Sequence, residues 1–78
     1  MRTVINRGTL WTLTNGRKTA TAAVREIQGV GLELRYVWDG ELMQSDLFRD
    51  GTELLKDAET KRLQLEKWGW QLVPIARQ

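Results

Sequence analysis

The sequence predicts a two-layer α+β domain: a four-stranded antiparallel meander with one C-terminal helix packed on one face, in the order β-β-β-β-α. Three observations predict it. Asn15-Gly16 and Asp39-Gly40 are dipeptides favoured in two-residue hairpin loops. Residues paired outward from each dipeptide sort into an apolar and a polar face. A run of good helix formers then opens at an acidic cap and closes at a glycine.

The first hairpin is built around Asn15-Gly16. A two-residue loop pairs Thr14 with Arg17, Leu13 with Lys18 and Trp11 with Ala20. One face then carries Trp11, Leu13, Ala20, Ala22 and Val24. The other carries Thr12, Thr14, Arg17, Thr19, Thr21 and Arg25. A slip of one residue destroys that sorting.

Gly29-Val30-Gly31 leads into the second hairpin, around Asp39-Gly40. Its expected pairs are Trp38 with Glu41, Tyr36 with Met43, Leu34 with Ser45 and Leu32 with Leu47. This puts Leu32, Leu34, Tyr36, Met43 and Leu47 on the core face, and Glu33, Arg35, Gln44 and Asp46 on the other. It also sets Glu33 against Asp46, a like-charge pair that a base such as Arg25 or Arg35 has to relieve.

Asp50, with Glu53 three residues on, resembles a capping box; Thr52 is the competing cap. The helix is expected over roughly residues 52–68, with Gly69 as the residue that ends it. Leu54, Ala58, Leu65 and Trp68 fall on one stripe with Leu55 at its edge, and Leu63 points the other way. Lys61 and Arg62 lie near the stripe and must lay their stems along the sheet. About seventeen helical residues span about 25 Å, close to the length of an eight-residue strand. One helix therefore covers one face of a sheet over roughly residues 9–48. The apolar tail 70–78, including Trp70, Leu72, Val73 and Ile75, is expected to pack as a short edge strand or over Leu63, or to meet a partner.

The whole chain of 78 residues reads as a single domain with one modest core. Residues 1–25 carry five bases and no acid, residues 26–53 carry seven acids and two bases, and the net charge is +2. Internal complementarity between the basic and acidic thirds is the simplest account. Apolar runs are too short for a membrane-crossing helix, and the start of the chain is too polar for a signal peptide. With no cysteine, the expected location is cytoplasmic.

Function classes are excluded by what the chemistry needs. There is no histidine and no cysteine, so the commonest general base, thiol nucleophile and metal ligands are missing. Ser45 is the only serine and is expected on the core face, without a base near it in sequence. Asp39-Gly40 and Asp50-Gly51 do not continue as calcium loops. Gly29-Val30-Gly31 has no third glycine and no Lys-Ser/Thr to cradle a phosphate. The expectation is no enzyme, no cofactor and no metal.

What remains is surface. A lone helix leaves one sheet face open, carrying Thr12, Thr14, Arg17, Thr19, Thr21, Arg25 and Arg35, with Lys18 beside them. Of four tryptophans, Trp11 and Trp68 are expected in the core, while Trp38 beside its turn and Trp70 beyond the helix are candidates for exposure. These ten exposed candidates form the expected binding surface, and another protein or a second copy is the expected partner. The alternative is a nucleic-acid contact through Arg17, Lys18, Arg25 and Arg35. Acids at Glu33 and Asp46 and the weak net charge count against it. A solvated strand face rich in β-favouring threonine explains the same pattern without a partner.

Overall fold

A computed structural model describes residues 2–74. Its strands are β1 (Val4–Thr14), β2 (Thr19–Ile27), β3 (Gly31–Trp38) and β4 (Glu41–Phe48), followed by helix α1 (Gly51–Lys67) and a short β5 (Gln71–Leu72). All five strands form one antiparallel sheet in the order β4-β3-β2-β1-β5. The meander and the helix are those the sequence predicts. The sheet begins earlier, at Val4, and gains a fifth strand at the far edge.

The first turn differs in register and keeps its faces. Thr14 pairs with Thr19, Leu13 with Ala20 and Trp11 with Ala22. The loop is therefore four residues, Asn15–Lys18. Asn15 keeps an ordinary negative φ, so the two-residue turn does not form. Instead its Oδ1 accepts the N–H groups of Arg17 at 2.9 Å and Lys18 at 2.7 Å, a side-chain-closed turn for which asparagine is suited. The shift is two residues, so every side chain keeps its expected face. Farther back, β1 has irregularities between Asn6 and Gly8 and between Thr9 and Trp11.

The second turn forms as expected, and the strand after it departs. Asp39 and Gly40 take φ values of 51° and 82°, and Trp38 pairs with Glu41. A bulge then adds Met43 as an extra residue, so that Val37 faces Leu42 but Tyr36 faces Gln44. One extra residue reverses the parity of the rest of the strand. Leu34 now faces Asp46, Arg35 faces Ser45, and Glu33 faces Leu47. Met43 and Leu47, expected in the core, are 57% and 58% exposed. Ser45 lies on the open face, and the Glu33–Asp46 clash does not occur.

The core lies between sheet and helix. Trp11, Leu13, Ala20, Ala22, Val24, Leu34 and Tyr36 from the sheet meet Leu54, Ala58 and Leu65 from α1, with Trp70 at one end. Ala20 and Ala22, two of the three alanines of central β2, are fully buried; small side chains there let the helix lie across β2 and touch β1, β3, β4 and β5. The buried indole of Trp11 donates to the carbonyl of Ala58 at 3.1 Å. Lys61 reaches over the Tyr36 ring, 5.5 Å from its centroid, which is the stem-along-the-sheet placement expected of it.

Both helix ends are capped. Asp50 Oδ1 accepts from the Glu53 N–H at 3.0 Å. At the other end Gly69 takes φ 94°, its N–H donates to Glu66 O, and that of Trp70 donates to Leu65 O. This is the Schellman arrangement, and its usual apolar contact falls between Trp70 and Leu65. The reversal exchanges the expected roles of two tryptophans. Trp68 is 73% exposed and Trp70 is 8% exposed. The Trp70 ring packs 5.2 Å from that of Trp38. The chain then runs beside β1, with Leu72 opposite Leu13 and the Val73 N–H on Thr12 O at 2.8 Å. The tail is thus an edge strand and does not cover Leu63, which is exposed. Residues 75–78 of the expected tail lie outside the described residues.

Candidate interaction surface

Six of the ten candidate residues come together on the open face. Thr12 pairs with Thr21 and Thr14 with Thr19, while Arg25 and Arg35 lie one and two strands over. The hydroxyls of Thr12 and Thr21 are 3.3 Å apart. Thr14 donates to Lys18 O at 2.8 Å and accepts from the Gly16 N–H at 3.0 Å, so its hydroxyl serves the turn.

Glu33 organises the charge on this face. Its carboxylate lies 2.6 Å from Arg25 and 3.6 Å from Arg35, and it accepts a short hydrogen bond from the Ser45 hydroxyl. Partial burial works against the charged carboxylate. The hydrogen bonds from Ser45 and Arg25 and the charges of Arg25 and Arg35 outweigh it, so its pKa falls below the ordinary glutamate value. One carboxylate offsets one of the two guanidinium charges, so this trio keeps a net positive charge on the open face.

The other four candidates gather at one end of the sheet, off the open face. Arg17 and Lys18 are exposed in the first turn, next to Trp38, Asp39 and Trp70. No acid lies within ion-pair distance of either base among the described residues. Trp38 stands opposite buried Ala20, so it belongs to the helix side. Trp70 is buried, contrary to its place among the exposed candidates. Asp39 accepts the Thr19 N–H at 2.9 Å and ties the two turns together.

On the helix side, Tyr36 donates to Asp57 at 2.7 Å. Burial, and then that hydrogen bond, raise the phenol above its ordinary pKa, so Tyr36 stays neutral. Arg62 bridges Glu59 and Glu66 on the helix surface. These contacts hold α1 to the sheet and decorate its outer turns.

The edges expose apolar residues that the candidate surface does not include. Along β4, Leu42, Met43 and Leu47 are all exposed, between 44% and 58%. The strand contains no lysine or proline to protect its edge, although it carries the bulge at Met43 and the charged Asp46 on the helix side. At the opposite edge β5 covers only Leu13 and Thr14 of β1. There Leu10, Leu55 and Leu72 line a shallow groove with Ala58 and Arg62. That edge is broken by the two irregularities of β1 and flanked by Pro74. The signal for β4 was present only in part: its apolar residues were visible, but nothing in the sequence marked the bulge that turns them outward.

Among the described residues no group of three or more His, Cys, Asp or Glu side chains is placed to hold a metal, and no helix is long and apolar enough to cross a membrane. No family model, curated protein or solved structure matches the chain.

Proposed function

We propose that this chain is a small, non-enzymatic, cytoplasmic protein-interaction module that receives a partner strand along β4. One observation carries the reading. β4 is eight residues long, is paired on one side only, and exposes Leu42, Met43 and Leu47. A strand edge offers a row of backbone donors and acceptors, and adjacent apolar side chains add contact area. Glu33 offsets one of the two charges of Arg25 and Arg35 and holds both side chains, which counts against a nucleic-acid contact through them and leaves Arg17 and Lys18 as the unpaired bases of that candidate set. The lack of cysteine supports a reducing compartment.

A photo-crosslinking residue tests the reading in living cells. Introduced at Met43 or Leu47, it is expected to capture protein. At Thr60 or Gln64, on the exposed side of α1, it is expected to capture little. Equal or absent capture at both places overturns the reading.

A further inference from the structure

We propose that Asn15 is a site of spontaneous deamidation, and that the closed first turn holds the reaction back until the turn opens. The inference concerns this turn alone and is independent of the reading of β4.

Asn15-Gly16 is the chain's one Asn-Gly step; the other asparagine, Asn6, precedes Arg7. In deamidation the backbone nitrogen of the following residue gives its proton to hydroxide and attacks the side-chain carboxamide carbon. A succinimide ring closes and ammonia leaves. Water then adds to one of the two ring carbonyls. Opening at one side gives aspartate. Opening at the other gives isoaspartate, whose backbone runs through the former side-chain carbonyl. The only co-reactants are water and hydroxide, and both reach the site because Asn15 and Gly16 are exposed. Glycine favours ring closure, because no side chain shields its nitrogen and its backbone bends freely.

The native turn occupies the atoms that this reaction needs. Oδ1 of Asn15 accepts the N–H groups of Arg17 at 2.9 Å and Lys18 at 2.7 Å. The Gly16 N–H, whose proton must leave, donates to the Thr14 hydroxyl at 3.0 Å. That hydroxyl in turn donates to the Lys18 carbonyl at 2.8 Å. A hydrogen bond donated to a neutral oxygen favours the protonated amide over its anion. The carboxamide is held by two N–H groups and must release them before its carbon can turn toward the Gly16 nitrogen. Those groups polarise the carbonyl, but that does not help while the nucleophile stays protonated. The base of the turn is fixed as well: the Thr19 N–H donates to Asp39 Oδ1, and the Asp39 N–H donates to Thr19 O, both at 2.9 Å. Reaction therefore runs through the open turn, and its rate follows the open fraction.

The two products differ in what they do to the turn. Aspartate keeps an acceptor oxygen for both N–H groups and adds a negative charge beside Arg17 and Lys18, neither of which is in an ion pair among the described residues. Isoaspartate lengthens the backbone and displaces the acceptor, so the turn cannot reclose in the same form. It marks the molecules whose first turn has opened.

Peptide mapping by mass spectrometry tests this on the full chain at mildly alkaline pH, folded and, as reference, unfolded in guanidinium. The mass gain is followed at Asn15 and Asn6. In the unfolded chain Asn15 should convert faster than Asn6. In the folded chain Asn15 should convert at least about tenfold more slowly than when unfolded, because only the open fraction reacts. Thr14→Val should speed the folded reaction about fivefold, the equilibrium worth of one hydrogen bond. Thr14→Ser keeps the hydroxyl and should match wild type within about twofold. Position 14 is a strand residue on the open face, where valine fits, and circular dichroism confirms that both variants are folded. No conversion at Asn15 in the unfolded chain would overturn the site. Equal rates in the folded and unfolded chains, or an unchanged folded rate in Thr14→Val, would overturn the restraint by the turn.

Discussion

Replacing Trp70 and Trp68 separately by alanine probes the end of the helix most directly. The two residues flank Gly69 and have the same side chain, yet Trp70 is 8% exposed and Trp68 is 73% exposed. A tryptophan that is almost wholly buried removes roughly 150–250 Å² from water, worth about 4–6 kcal/mol at 25 cal/mol per Å². Residual burial in the unfolded chain reduces this to about 3–4 kcal/mol. Large-to-small substitutions of buried tryptophan fall in the same range. Trp70→Ala also loses the ring contact with Trp38 at 5.2 Å. Trp68→Ala should cost about 0.5 kcal/mol or less, as exposed substitutions do. Urea unfolding followed by far-ultraviolet circular dichroism gives both values. In heat, Trp70→Ala should melt about 15–25 °C lower, and Trp68→Ala within about 4 °C of wild type. If Trp68→Ala costs as much as Trp70→Ala, the Schellman reversal and the docking of the tail are wrong.

Three further perturbations have defined outcomes. Gly31→Ala places a Cβ 2.5 Å from the carbonyl oxygen of Phe48 at a φ of 148°; because the obstacle is backbone, about 3 kcal/mol should be lost in urea unfolding, and a loss under about 1 kcal/mol would contradict the close approach of β3 to the end of β4. Glu33→Gln should cost about 1 kcal/mol at pH 7. The lowered pKa of Glu33 makes its contribution present above the unfolded value of about 4.3 and lost as pH falls through the folded pKa, so the gap to wild type should narrow steadily as pH falls below about 4.3; a gap that stays constant through the acid range would show that charge is not the cause. Asp50→Ala should remove about 1 kcal/mol while Asp50→Asn retains most of it, because both Asp and Asn can accept the Glu53 N–H; equal losses would argue against the cap.

Much of the fold was legible because its signals are local. The Asp39-Gly40 turn, the Asp50 cap and the Gly69 stop each depend on a few adjacent residues. The first hairpin tolerated a wrong register because a two-residue error keeps every side chain on its face. The second did not, because a single extra residue at Met43 reversed the rest of β4. A bulge is decided by how β4 fits β3 and the helix, which no local pattern in Glu41–Phe48 expresses. The tryptophans failed for a similar reason: a helical stripe extended to Trp68 ignores that the chain reverses at Gly69 and brings Trp70 back onto Leu65. The open-face part of the candidate surface was legible from alternation, whereas the edge strand was one of several placements open to an apolar tail, because two residues are too few to show a pattern.

The connection through α1 has a kinetic consequence. β1 to β4 are joined by short turns, so their pairing needs only neighbours in the chain, whereas β5 must cross from behind β4 to the far side of β1. Contacts between residues distant in sequence close large loops and tend to form late. During synthesis β1 is made well before the segment that covers part of its edge. Until then the outer edge of β1 is fully available to other chains, and the completed fold withdraws its Thr12–Thr14 end only after Gln71–Val73 has emerged. Slowing translation over the helix should therefore lengthen the interval of exposure without altering the stability of the finished domain.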